Sequence, residues 1–589
     1  MNLPVLAPAG HLTLALMLCA AVMTAVPASA RKKQAPPPPP SETGLIDNVN
    51  GLAIGADGHV AHFTGLLIGK DGRVEQRLGR DDKRPDRPAY RLDGQGRTLI
   101  PSFVDGHAHL IATGIVSMTL DLSATRSLAE ALAKIAAYAR TNEGRKWILG
   151  RGWDAARWAE AEGTAETLPT ATDLDAAVAD IPVWLVSADG EMGWANSLAM
   201  KQAGVTPATK TPPGGHIVLT GNRPGGVFIG AAMALVSAII PPPAPKDRDI
   251  ALDKAQPLFL AAGISTVADM GTSIYDWQAY RRAGDRGALR LRIAAYADGL
   301  DDMVTIAGPA PSPWLYDDRL RLVGVHFAID GSIGARTAWL KAPYTDAPGE
   351  KGAPRIPSTV LRNQMSRAAM DGFQVALSAH GDAAIDEALA AIDELAATYE
   401  GDRRWRIEGA DVTGSLTGID SAIFHDSIVT VKPDSAGRSQ ALTLRRLGQE
   451  RAAPAWSTLG PILGARLSFG DWAAGHVPSP FAAMAAAMGA ATMGSGGDDT
   501  AGPDAPVQRL TFEQAFAAAI GNGARALFAE QRIGSLASGQ WADFLLIDRD
   551  ISTALPTDVA QARLLEHWVA GKRVWKAPEA PDTTAAPVR

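Results

Sequence analysis

The chain is 589 residues long and 46% apolar, with a formal net charge of -7 and a single cysteine. That length exceeds one ordinary small domain and allows large cores. Its Lys and Arg residues form no stripe, which excludes nucleic acid as a partner class. Cys19 lies in an apolar leader, so the rest of the chain has no disulfide, thiol nucleophile or thiolate metal ligand.

Residues 1–30 contain no Lys, Arg, Asp or Glu, and the apolar stretch Leu12 to Val26 runs into Val26-Pro-Ala-Ser-Ala30. This reads as a signal peptide cut near Ala30 and predicts a periplasmic or secreted protein. An uncleaved anchor is the alternative, but the stretch is shorter than the ~20 residues of a spanning helix, so stable membrane insertion is not expected. Residues 31–43, with Pro36 to Pro40 in a row, read as a stiff Pro-rich linker. From residue 44 to 100 short strand-like pieces follow. Gly65 to Ile68, an Asp71-Gly72 turn and Arg73 to Leu78 form a hairpin pattern, because Asp-Gly suits the positive φ of a two-residue turn.

The stretch Thr98 to Leu110, TLIPSFVDGHAHL, ends an apolar run in two histidines. Side chains on a strand alternate faces, so His107 and His109 point the same way, as two ligands of one metal would. Gly106 and Ala108 would leave room for an ion beside the backbone.

Strands then alternate with helices, which argues for a parallel sheet closed by crossover helices. Ser127-x-x-Glu130 and Thr511-x-x-Gln514 mark helix starts. Strand candidates are 147–152, 183–188, 265–268, 291–296, 320–329, 374–377, 404–407, 428–431 and 466–469, a number that suits a (β/α)8 barrel with functional residues at the carboxyl ends of its strands. Gly494 to Pro506 reads as a polar loop. Gly534 to Asp550 returns to a hairpin-like pattern turning at Ser538-Gly539. The expected fold class is α/β, with the barrel over 101–530 inserted into a small β-sandwich built from 44–100 and 531–577, and a disordered tail over 578–589.

Several motifs in order resemble the amidohydrolase superfamily, and within it the third family, which includes N-substituted formamide deformylases. The similarity spans roughly residues 44 to 577. PSFVDGHAHL is similar to the family's PGxxDxHxH strand, Gly152-Trp153-Asp154 to its GWD element, and DGEMGWANSLAM (189–200) to DGHxxWxNSxAL. LRLVGVHFAIDGSIGARTAWLKAPYTD (320–346) resembles VKxFxDGxxGxRTAxLxxPYxD, and GSLASGQWADFLLIDRD resembles the closing strand pair. The resemblance implies a distorted TIM barrel with a small β-sandwich. It also implies metal-assisted hydrolysis of a carbon–nitrogen bond in a small amide, N-acyl or N-formyl substrate. A divalent ion would activate water and Asp471, in LSFGDW, would take its proton as general base.

Other positions depart from the family pattern. Ser378 stands where it has a ligand histidine, Gly409 where the next is expected, and His326 in place of its lysine. Glu191 replaces a histidine, Ala268 a polar residue, and Lys432 to Ser435 replace QPTH. Two readings follow. In one, His107, His109, His326, His380 and Asp471 form a rebuilt site for one divalent ion, with zinc the leading candidate. In the other, the chain is a degenerate member kept as a periplasmic binding or structural module. Trp153, Asp154, Glu191, Trp194, Asp330 and Arg336 are candidates to line a substrate pocket, with core or turn roles as the alternative for each. The expected partner is a small-molecule substrate, and a homodimer is compatible with the sequence.

Overall fold

The computed structural model describes residues 42–578 except 56, 143, 164–166, 189, 213–214, 411, 413–424, 434–437, 453–462, 472–474, 476 and 490–508. The leader, nearly all of the Pro-rich linker, the 494–506 loop, Asp434 and Ser435 therefore lie outside the described residues, as does the tail from 579 on.

Eight strands form a parallel sheet: β1 (Phe103–Ala108), β2 (Ile264–Thr272), β3 (Arg292–Asp298), β4 (Leu320–Ala328), β5 (Gln374–Ala379), β6 (Arg406–Gly409), β7 (Ile428–Val431) and β8 (Leu467–Phe469). Each pairs in parallel with the next. Their residues are almost all buried, as a sheet covered on both faces requires. Crossover helices supply the outer cover. Asp382–Ala396, for example, buries Ala384, Ala388, Leu389, Ala391, Ile392 and Leu395 on one stripe.

The sheet order ends with β1 and β8 as edges, yet their carboxyl ends meet. The Asp471 amide donates to the His107 carbonyl at 2.8 Å, joining the edges at one point. Two glycines make this approach possible. A Cβ on Gly106 would sit 2.6 Å from Ser468 Oγ, and one on Gly470 would sit 2.5 Å from the His107 amide. Gly106 thus makes room for the last strand, a different use of space from the ion expected beside it.

The terminal segments pair as expected. Strand Phe544–Ile547 runs antiparallel to Thr98–Pro101, which joins Gly44–Ile54, Val60–Ile68 and Val74–Leu78 on one side to Leu564–Val569 and Lys572–Lys576 on the other. The hairpin expected within 534–550 is not what forms. Gly539 donates to the Val74 carbonyl at 2.8 Å and Trp541 bridges Arg73, so that stretch lies beside Gly72 to Val74.

A second correction concerns the barrel. The candidates 147–152 and 183–188 are real strands (Ile148–Trp153 and Val183–Ser187), but they belong to a separate six-stranded sheet inserted between β1 and β2. Its core packs Trp153, Trp158 and Trp194, with ring centroids 6.0 to 6.4 Å apart. Both expected helix starts are present: Ser127 accepts from the Glu130 amide, and Thr511 with Gln514 forms a reciprocal capping box. Among the described residues no helix is long and apolar enough to cross a membrane.

Candidate active site

Because the barrel strands are parallel, their carboxyl ends share one rim. That rim carries His107 from β1 and His109 just after it, His326 from β4, Ser378 from β5, Glu408 from β6, Lys432 after β7 and Asp471 after β8. The imidazole of His107 stands edge-on to His109, centroids 5.2 Å apart, and to His326 at 5.8 Å.

His107 is 1% exposed. Its Nδ1 lies 3.0 Å from Glu408 Oε2, and the other carboxylate oxygen accepts from Arg406 Nε at 2.6 Å. Burial pushes His107 down to about 4, against the pull of Glu408. Burial works to raise the Glu408 carboxyl, but Arg406 and then His107 outweigh it and hold it at about 2. At neutral pH the pair is therefore a neutral imidazole donating Nδ1–H to a carboxylate, the tautomer that places the lone pair on Nε2. Arg406 is itself fixed by Tyr296 OH at 3.0 Å, Thr430 Oγ1 at 3.1 Å and the Gly106 carbonyl.

His109 is oriented by β2: its Nδ1 sits 2.9 Å from the Met270 carbonyl. Asp269, one residue earlier, accepts from the Leu110 amide at 2.7 Å and from Tyr280 OH at 2.7 Å. Such contacts to Nδ1 are how a protein aims a histidine's Nε2. His326 differs, because its Nε2 lies 2.8 Å from Ser378 Oγ. Burial, followed by the two neighbouring imidazoles, pushes His326 down to about 3.

Asp471 is 3% exposed. Its Oδ1 accepts from Lys432 Nζ at 2.6 Å, and its amide donates to the His107 carbonyl as well as to Asp105 Oδ1 at 3.3 Å. Burial, then the charge of Asp471, raises the Asp105 carboxyl well above the usual carboxylate range. The tips of β1, β7 and β8 thus form one hydrogen-bonded unit.

His380 lies one residue beyond β5. Its amide donates to Asp330 Oδ1 at 3.0 Å, and its ring covers Gly409, where a Cβ would come 2.7 Å from His380 Nδ1. The space a side chain would need at 409 is taken by this imidazole.

A divalent ion needs three or four such donors around one point. Imidazoles and carboxylates are suitable donors, and His107 and His109 are aimed as a ligand pair would be. However, His326 Nε2 is engaged by Ser378, and Asp471 by an ammonium. Among the described residues no group of three or more His, Cys, Asp or Glu side chains is arranged to hold a metal. The described donors therefore do not fit a complete metal site.

The candidate pocket residues separate. Trp153 and Trp194 are fully buried in the inserted sheet, donating to the Leu185 carbonyl at 2.9 Å and the Thr170 carbonyl at 2.8 Å. They are core residues and present no surface to a ligand. Asp154 accepts from the Arg157 amide at 3.0 Å at the start of helix Ala155–Glu162. Asp330 is 2% exposed and accepts from the amides of Trp339 at 2.8 Å, His380 at 3.0 Å and Gly381 at 2.9 Å, tying the segment after β4 to the end of β5. Glu191 is hydrogen-bonded by Ser332 Oγ, which links the inserted sheet to that same segment. Arg336 pairs with Asp346 at 2.9 Å.

Sequence reasoning missed Glu408, Arg406 and the Lys432–Asp471 pair. One signal was present: two charges at i and i+2 in the short strand Arg406–Gly409 must both point inward in a sheet buried on both faces.

The amidohydrolase family model matches residues 92–575. Protein LONG AFTER FAR-RED 3 of Arabidopsis thaliana is 30% identical over 501 residues, which are 82% of this chain and 83% of that one. N-substituted formamide deformylase of Arthrobacter pascens is 25% identical over 499 residues, 82% of this chain and 89% of its own. The crystal structure of an uncharacterized metal-dependent hydrolase from Pyrococcus horikoshii OT3 superposes with a TM-score of 0.69 at 21% identity, covering 87% of this chain and 99% of that one. That structure shares the fold.

Proposed function

We propose, for a chain that belongs to the amidohydrolase family and is thus a hydrolase, that it cleaves a carbon–nitrogen bond in a small amide, N-acyl or N-formyl compound. Its likeness to an N-substituted formamide deformylase supports that substrate class. The observation that carries the reading is the 2.8 Å hydrogen bond from the Asp471 amide to the His107 carbonyl. It fixes a buried carboxylate beside the histidine strand at the carboxyl rim, where barrel enzymes do their chemistry.

In this reading Asp471 accepts the proton of the attacking water. The Glu408–His107 pair holds the Nε2 lone pair of His107 towards the site as an acceptor that orients that water, and Asp471 passes the proton it has taken to the departing amine. Lys432 supplies positive charge next to the carbonyl oxygen as it becomes anionic. Assays are run with and without zinc, the ion that imidazole and carboxylate donors suit in general, because the described donors do not complete a site for it.

A second reading, a barrel kept for binding, is favoured by the ammonium 2.6 Å from the Asp471 carboxylate, since an ion-paired carboxylate is a weaker base. A panel of N-formyl and N-acyl amines, followed by amine release with and without zinc, separates the two. Turnover that disappears in Asp471→Asn supports hydrolysis. Compounds that bind tightly and are never cleaved support the binding module.

A further inference from the structure

We infer that the ammonium of Lys432 is the resident cation of this barrel rim, seated on the Asp471 carboxylate in place of a metal ion, and that the protein works without a bound metal. The Asp471 side chain is 1% exposed and that of Lys432 14%. A buried charged carboxylate is stabilised by a nearby cation, and the Lys432 ammonium lies 2.6 Å from this one. The carboxylate that touches the His107 ring, Glu408, is matched in the same way by Arg406 at 2.6 Å. Asp471 and Glu408 are thus each paired with a cation from the chain itself, and a divalent ion here would face the Lys432 ammonium across a common ligand, a repulsion that low dielectric strengthens.

The remaining donors point the same way. Ser378 Oγ engages His326 Nε2 at 2.8 Å, and position 409 has no side chain, its space being filled by His380. Among the described residues no three-donor group is assembled. The chemistry open to such a site is electrostatic: a fixed ammonium stabilises an oxyanion without acting as a Lewis acid. The ammonium's use in catalysis depends on the hydrolase reading, whereas the metal count does not. A folded protein that turns over no amide sinks that reading and leaves the count to decide.

The test is elemental analysis and thermal unfolding of the full chain after incubation with zinc or manganese and after chelation. The proteins compared are wild type, Lys432→Met, and Lys432→Met combined with Asp471→Asn. Wild type is expected to retain well under one ion per chain and to melt at the same temperature under all three treatments. Lys432→Met, which leaves Asp471 without its cation, is expected to melt several degrees lower and to regain part of that loss with zinc. The double variant, with neither charge, is expected to melt above Lys432→Met and to ignore zinc. About one chelatable ion per wild-type chain, with a melting temperature that drops on its removal, would overturn the inference. So would a Lys432→Met protein that melts like wild type. If Lys432→Met does not fold, the double variant and the wild-type metal count still decide.

Discussion

Among the described residues, Arg292 at 1% and Arg406 at 0% exposure are the most deeply buried arginines, and each is closed by a carboxylate. Arg292 opens β3 and forms a two-pronged pair with Asp543, at 2.7 and 3.1 Å, from the sheet of the terminal segments. Its remaining donors go to the carbonyls of Asp317 and Asp318, and its guanidinium lies over the Trp541 ring at 4.6 Å. Arg406 opens β6 and pairs with Glu408, whose second oxygen reaches His107. The first pair ends in backbone and binds the barrel to its neighbouring sheet. The second ends on an imidazole at the carboxyl rim. A buried charge pair therefore marks a site only when one of its atoms is directed at a group that can react.

The strongest way to break this comparison is Asp543→Ala. It leaves a buried guanidinium unpaired, and about 3–5 kcal/mol of stability should be lost. Urea unfolding measures the loss, and turnover per folded molecule should be unchanged. A loss below about 1 kcal/mol, or a collapse of turnover in the folded fraction, would show that the two pairs do not divide the work as described.

The same junction carries a pH signature. His567 is buried, with Nδ1 2.8 Å from the Leu260 carbonyl and Nε2 3.0 Å from Ser102 Oγ. Burial pushes it down to about 4, against weaker opposing pulls from the Leu260 carbonyl and Asp543. Its folded value lies below the unfolded ~6.5, so the folded state disfavours the proton. The contribution is fully present above about pH 6.5 and is lost as pH falls from there towards 4, by at most about 3 kcal/mol. Urea midpoints at pH 7.5 and pH 5 should differ less in His567→Gln than in wild type. Equal differences would remove His567 from the account.

On the other side of the comparison, Glu408→Gln keeps the shape and removes the charge that sets the His107 tautomer. Stability should drop by about 2 kcal/mol, because Arg406 loses its counter-charge. Turnover should fall at least about tenfold as the imidazole loses its orientation. A variant with normal kcat and KM would reduce Glu408 to a partner for Arg406 and nothing more.

Most of the barrel was legible because its strands are short apolar runs spaced by helices. The boundaries of β4 and β7 fall within a residue of those expected. The inserted sheet was not legible, because a run such as Val183–Ser187 looks the same whichever sheet it joins. At the rim, the His107–His109 pair and Asp471 could be singled out from strand ends and resemblance. Which side chains they would meet could not: His107 and Glu408 are 301 positions apart, and Lys432 is paired with a residue 39 positions on. Nor could the neighbour of His380 be read from sequence: its ring lies against Gly409, on the next strand.

The smallest effect expected on the Arg406 side is also the most discriminating. Tyr296 OH donates to Gln374 Oε1 at 2.5 Å and accepts from Arg406 Nη1 at 3.0 Å. Tyr296→Phe removes that acceptor and leaves the ring in place beneath the guanidinium, whose centre is 5.1 Å from the ring centroid. Arg406 keeps Glu408, Thr430 and the Gly106 carbonyl. Two hydrogen bonds are lost, one of them to the buried Gln374 Oε1, so stability should fall by about 1–2 kcal/mol, and turnover should be nearly preserved. If turnover instead falls as far as in Glu408→Gln, the rim is held by the whole Gln374–Tyr296–Arg406–Glu408 chain, and the contact between Glu408 and His107 is only its last link.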